Sequence, residues 1–73
     1  LLAISNDALL TTKIKAQMLT DNAIPGSRIK IVTDNGIVYM MGLLTQAEAT
    51  RASNLVQGVS GVQKIVKVFE YID

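Results

Sequence analysis

The chain contains no cysteine and no histidine. The first absence removes disulfides and thiol chemistry and leaves the redox compartment undetermined, and the second removes the commonest transition-metal ligand, so no metal or cofactor is expected. Nucleophilic catalysis would need a lysine or a carboxylate activated in a pocket, and 73 residues leave little volume for one. Charge of one sign is also lacking. Seven Lys and Arg stand against six Asp and Glu, a net charge of +1, so no overall field steers the chain toward a polyanion and nucleic acid is not an expected partner. Long apolar runs are missing too: the longest, Ile37 to Met41, falls far short of the ~20 residues of a membrane-spanning helix. The first residue is Leu rather than Met, which reads as a piece of a longer protein with any targeting segment upstream.

What remains is a compact, apolar chain. Hydrophobic residues make up 49% and charged residues 18%, which excludes a disordered tail. The length fits a single domain over 1–73, with 1–4 as linker from a preceding region.

Asn35-Gly36 is the strongest local signal. Read as a two-residue type I′ turn, it opposes Thr33 to Val38, Val32 to Tyr39, Ile31 to Met40 and Ile29 to Gly42. One face of the hairpin then carries Ile29, Ile31, Val38 and Met40, and the other Val32, Ile37, Tyr39 and Met41, interrupted by Arg28 and Lys30. A hairpin covered on one side alternates apolar with polar residues, so a second apolar face calls for cover from a partner.

Ahead of the hairpin, Ile4-Ser5-Asn6-Asp7 offers several N-caps and an acidic residue for the positive end of a helix, and Leu10, Ile14 and Met18 form its core stripe. Asp21-Asn22 closes that helix, and Ile24 anchors the turn-rich link into the first strand. After the hairpin, Thr45 and Glu48 have capping-box spacing, so a second helix starts at Gln46. Its buried side reads as Ala49, Ala52, Leu55, Val56 and Val59, with Gly42 leaving room for the alanines and Gly58 and Gly61 stopping the helix. Val62 to Ile72 reads as a long strand, with Ile65, Phe69 and Tyr71 on one face and Val66, Val68 and Ile72 on the other. A helical crossover makes the second and third strands parallel. The expected architecture is α+β: the order α-β-β-α-β, a mixed three-stranded sheet and two helices packed on one face.

Asp7 with Thr12-Lys13-Ile14-Lys15, the run Gly36-Ile37-Val38-Tyr39-Met40-Met41-Gly42 in a G-x-V-x-L-x-G pattern, Glu48-Ala49 and Gly61-Val62 together resemble the BON domain of bacterial envelope and osmotic-stress proteins. Met40 in place of the usual Leu conserves volume. The likeness covers nearly the whole chain and is greatest to the second BON domain of tandem-BON outer-membrane lipoproteins. It implies a non-catalytic module of the periplasm, peripheral to or anchored at the outer membrane. It also implies contact with anionic phospholipid and packing on another BON domain of the same chain or on a second copy.

At 100° per residue, Leu9 and Ala16 lie opposite the core stripe, with Thr12 between them and Lys13 and Lys15 on the flanks. Leu9 would enter acyl chains while the lysines meet anionic headgroups, and the resemblance points to the same helix. Ile4 and Leu9 equally occupy the two positions of a hydrophobic staple, and the lysines are equally an ordinary solvated face. For the second sheet face, Val32, Ile37, Tyr39, Met41, Val66 and Val68 read either as scattered surface residues or, side by side on neighbouring strands, as a docking surface centred on Tyr39.

Two further patterns carry less. Gly58-Val59-Ser60-Gly61 matches the GXXG of KH modules but lacks basic neighbours and serves as a helix stop. Single-stranded RNA binding would rest on Lys13, Lys15, Arg28 and Lys30. A protein adaptor with no lipid role is the competing reading of the whole chain.

Overall fold

The computed structural model describes residues 5–73. Helix α1 (Asn6–Leu19) is followed by a 3₁₀ turn (Gly26–Arg28), strands β1 (Lys30–Asp34) and β2 (Ile37–Leu44), helix α2 (Gln46–Gln57) and strand β3 (Lys64–Tyr71). The sheet order is β1-β2-β3, antiparallel between β1 and β2 and parallel between β2 and β3. The chain is therefore the α+β arrangement its patterning implies.

Local chemistry starts each helix. Ser5 caps α1, its hydroxyl accepting from the Ala8 amide at 3.1 Å. Thr45 caps α2 through a complete capping box: its hydroxyl accepts from the Glu48 amide (3.1 Å) while the Glu48 carboxylate accepts from the Thr45 amide (2.9 Å). The Asp73 carboxylate takes the Gln46 amide at 3.0 Å, so a third free donor of that turn is satisfied from the far end of the chain.

The hairpin has the register that Asn35-Gly36 requires, with φ of 51° and 79° at the two turn residues. Asp7 locks it from α1, its carboxylate accepting from the Asn35 amide at 3.1 Å and the Gly36 amide at 3.4 Å. Ile31, Val38, Met40 and Leu44 turn inward and meet Leu10, Ile14 and Met18 from α1 and Ala49, Ala52 and Val56 from α2. Ile24, Ile29 and Val59 complete this core from the connections. Thr11 and Thr33 share a hydroxyl hydrogen bond of 2.8 Å between α1 and β1.

Several details differ from the sequence reading. The last helical residue of α1 is Leu19, and the third strand is trimmed to Lys64–Tyr71. Gly42 does not make room for the alanines of α2: a methyl group there would run into the Arg28 carbonyl oxygen, so this glycine lets the lead-in to β1 cross β2 closely. Gly58 caps α2 with φ of −82°, which any residue adopts, whereas Gly61 has φ of +102° and uses the freedom of glycine. Ile4, and the linker expected over 1–4, lie outside the described residues.

Candidate functional site

Two surfaces collect the residues singled out above. On α1, Leu9, Thr12, Lys13, Lys15 and Ala16 are all exposed. Taking Leu9 as the origin and ~100° per residue, Ala16 falls at about −20°, Thr12 at about −60° and Leu19 at about −80°. Lys13 sits about 40° beyond one end of that arc and Lys15 about 40° beyond the other, and the arc's centre is opposite the buried Ile14. The helix therefore has a second, narrower apolar stripe, some 15 Å long at ~1.5 Å per residue.

Leu19 is the residue that sequence reasoning missed. It is 81% exposed, against 47% for Leu9, and is the most exposed large apolar residue among those described. Its signal was present: it stands three positions after Ala16 and ten after Leu9. Its place in the last helical turn hid it, because only the packing shows that no loop folds back over that turn.

Thr12 donates its hydroxyl to the Ala8 carbonyl at 2.9 Å, so it presents its methyl side outward and makes no polar demand on this face. Neither Lys13 nor Lys15 is ion paired among the described residues, whereas Arg28 holds Glu48 (3.0 Å) and Arg51 holds Asp21 (2.7 Å). The cations left open are those that flank the apolar stripe and those on the sheet. A shallow cleft of about 790 Å³ opens beside Leu9 and Lys13, walled by Asn6, Ser60 and Gln63. The staple of Leu9 with Ile4 falls outside the described residues.

The second surface is the sheet face turned away from the helices. Ladder pairing sets Val32, Tyr39 and Val66 in one row across the three strands, and Met41 with Val68 in the next, beside Lys30. Ile37 begins a further row with Lys64. Val32 and Val68 are exposed, and Ile37, Tyr39, Met41 and Val66 are half-buried against one another rather than under a helix. All six expected residues are thus brought onto one surface. Leu43, 52% exposed and of the same parity as Tyr39 and Met41, extends it; ending the hairpin at Gly42 had left this residue out.

Four of the six carboxylates are engaged in holding the fold. Asp7 binds the hairpin amides and Asp73 the start of α2. Asp21 lies below the ordinary carboxylate range, first because Arg51 donates to it and then because the Ala23 amide does. Glu48 is lowered chiefly by the Thr45 amide. Among the described residues no cluster of His, Cys, Asp and Glu is arranged to hold a metal ion, and no helix is long and apolar enough to cross a membrane.

The fold defines a small α-β-β-α-β module with one helix-covered and one open sheet face. Residues 6–73 match the model of the BON domain, and the chain belongs to the BON domain family. It is 39% identical over 70 residues to the outer membrane lipoprotein DolP of Haemophilus influenzae, an alignment covering 96% of this chain and 36% of that protein. A 21 kDa hemolysin of Actinobacillus pleuropneumoniae is 36% identical over 69 residues, covering 94% of this chain and 36% of the hemolysin. The osmotically-inducible protein Y of Escherichia coli is 32% identical over 62 residues, with 84% of this chain and 31% of the relative covered. The chain spans about a third of the length of the relatives it matches.

Proposed function

We propose that this chain is a non-catalytic module of the bacterial envelope that binds anionic phospholipid surfaces through the outer stripe of α1 and packs a second BON module against its open sheet face. The observation that carries the lipid half is the stripe Leu9, Thr12, Ala16 and Leu19, with a leucine at each end and an unpaired lysine on each flank. A helix so built lies in the interface plane, leucines among acyl chains and lysines at the headgroups. The setting is the periplasm at or near the outer membrane, a reading supported by the chain's likeness to an outer membrane lipoprotein of Haemophilus influenzae.

Magnitudes set the strength. Burying two leucines contributes at most about 3–6 kcal/mol, and two lysines near an anionic surface about 2 kcal/mol. Part of that sum is lost to immobilisation on the surface, which leaves an affinity in the range of a single acyl chain, reversible by itself. A second attachment, by a lipid anchor or through several modules, would convert it to stable residence.

Support for the docking half is the contiguous apolar patch around Tyr39 in a domain whose helices already cover the opposite face. Most of each relative's length lies outside the matched segment, which supports a module of the same chain as the occupant. The engagement of Asp7, Asp21, Glu48 and Asp73 in the fold, and the lack of His and Cys, support the non-catalytic reading.

Co-sedimentation with vesicles of phosphatidylcholine, with and without phosphatidylglycerol, tests the lipid half. Binding to the anionic vesicles that weakens in salt, and is lost in both Leu9→Glu and Leu19→Glu with the circular dichroism unchanged, is the expected result. Binding that ignores both substitutions, or no binding while the open face still associates with protein, would favour the adaptor reading, in which α1 has no lipid role.

A further inference from the structure

Strand β3 ends the sheet, paired with β2 on one side and with nothing among the described residues on the other. The Lys64 amide donates to the Gly36 carbonyl and the Ile72 amide to the Leu44 carbonyl, which sets the phase of the ladder. Even-numbered residues therefore bond inward, and the backbone groups of Ile65, Lys67, Phe69 and Tyr71 point to the open edge. An eight-residue edge with free donors and acceptors is a template for another strand.

The flank of this edge is shaped and charged. A cleft of about 320 Å³ runs between α2 and β3, lined on the helix side by Ser53, Asn54 and Gln57 and on the strand side by Lys64, Ile65 and Lys67. It contains two lysines, several neutral hydrogen-bonding side chains and no carboxylate. Lys67 shares its parity with Val38-facing Ile65 and so belongs to the helix side of the sheet, at the cleft, whereas Val66 and Val68 face the open side.

A second copy of the chain fits poorly here. The antiparallel register that would match Lys64 with Glu70 in both directions sets Lys67 directly opposite its own counterpart, and like charges facing each other in a ladder destabilise it. We propose that β3 accepts, by strand addition, an extended segment of a partner protein that alternates acidic with apolar residues. Its acidic side chains enter the cleft beside Lys67, where the Asn54 and Gln57 amides donate hydrogen bonds, and its apolar side chains continue the open face past Val66 and Val68. Backbone pairing supplies affinity and Lys67 selects the sign of charge. This edge is independent of the α1 stripe, so its failure leaves the lipid reading untouched.

The experiment uses the ¹⁵N-labelled chain with a synthetic peptide of alternating Val and Glu, and a matched peptide of alternating Val and Lys. The expected result is binding of the Glu peptide, with amide-exchange protection appearing at Ile65, Lys67, Phe69 and Tyr71. Lys67→Glu, an exposed position that leaves the fold unchanged by circular dichroism, should weaken the Glu peptide about tenfold and strengthen the Val-Lys peptide. Lys64→Glu, at the cleft's end but with the parity of Val66 and the open face, should change the preference less. The proposal is overturned by any of four results: no binding of the Glu peptide at millimolar concentration, protection mapping to α1 or to the Tyr39 face, a charge preference unmoved by both reversals, or peptide-free self-pairing through the same four amides.

Discussion

Gly42 lies where the backbone before β1 passes over β2, with the Arg28 carbonyl in the space that a side chain would need. Gly42→Ala should therefore destabilise the domain by about 1–3 kcal/mol, read as a lower urea midpoint at unchanged slope. Asp7 works on a comparable scale from the opposite end of the hairpin, because its one carboxylate satisfies both turn amides. Asp7→Ala should cost about 1–3 kcal/mol and raise amide exchange first at Asn35 and Gly36. Leu19 has the opposite character: 81% exposed, it adds almost nothing to the core, so Leu19→Glu should leave unfolding within about 0.5 kcal/mol of the parent while removing vesicle binding.

Among the elements, α2 depends most on its first turn. Thr45→Ala removes the hydroxyl that the Glu48 amide needs and should cost about 1 kcal/mol in urea unfolding. Carboxylates bonded to α2 make stability depend on pH. Asp21 and Glu48 are both lowered in the folded state, the first chiefly by Arg51 and the second chiefly by the Thr45 amide. A carboxylate lowered on folding stabilises the fold at pH above its unfolded value and loses that contribution as pH falls through its folded value. The urea midpoint should accordingly drop as pH is taken from about 6 to about 3, with a shallower drop in Glu48→Gln and in Asp21→Asn. Helix α1 shows the other use of an element: Leu10, Ile14 and Met18 hold it to the sheet while Leu9 and Leu19 stay outside. An apolar stripe on each side makes it a poor amphipathic helix by simple periodicity.

For the molecule as a whole, two helices can blanket only one side of three strands, so the Tyr39 face stays open however well the core packs. The proposal assigns lipid and partner to faces that share no residue, and each should fail separately. Tyr39→Glu should abolish any concentration-dependent association of the chain in sedimentation velocity while anionic vesicle binding persists; Leu19→Glu should do the reverse. Loss of both functions in either variant with the fold intact would mean that the two surfaces act as one.

Interactions closed over a few residues were legible in advance. The Asn35-Gly36 turn dictates which residues oppose each other, period two then sorts the hairpin into two faces, and the spacing of Thr45 and Glu48 marks the start of α2, because each depends on backbone geometry within one turn or one pair of strands. The core stripe of α1 was legible for the same reason, from the fourfold spacing of Leu10, Ile14 and Met18. Contacts between distant segments were not. Gly42 facing Arg28, Asp7 reaching the hairpin, Asp73 closing α2 and Lys67 standing at the mouth of a cleft each depend on how helices settle on the sheet. Leu19 and Leu43 are apolar residues whose type argues for burial, and only tertiary packing leaves them in solvent: no loop folds back over the outer side of α1 at Leu19, and both helices lie on the face of the sheet opposite Leu43.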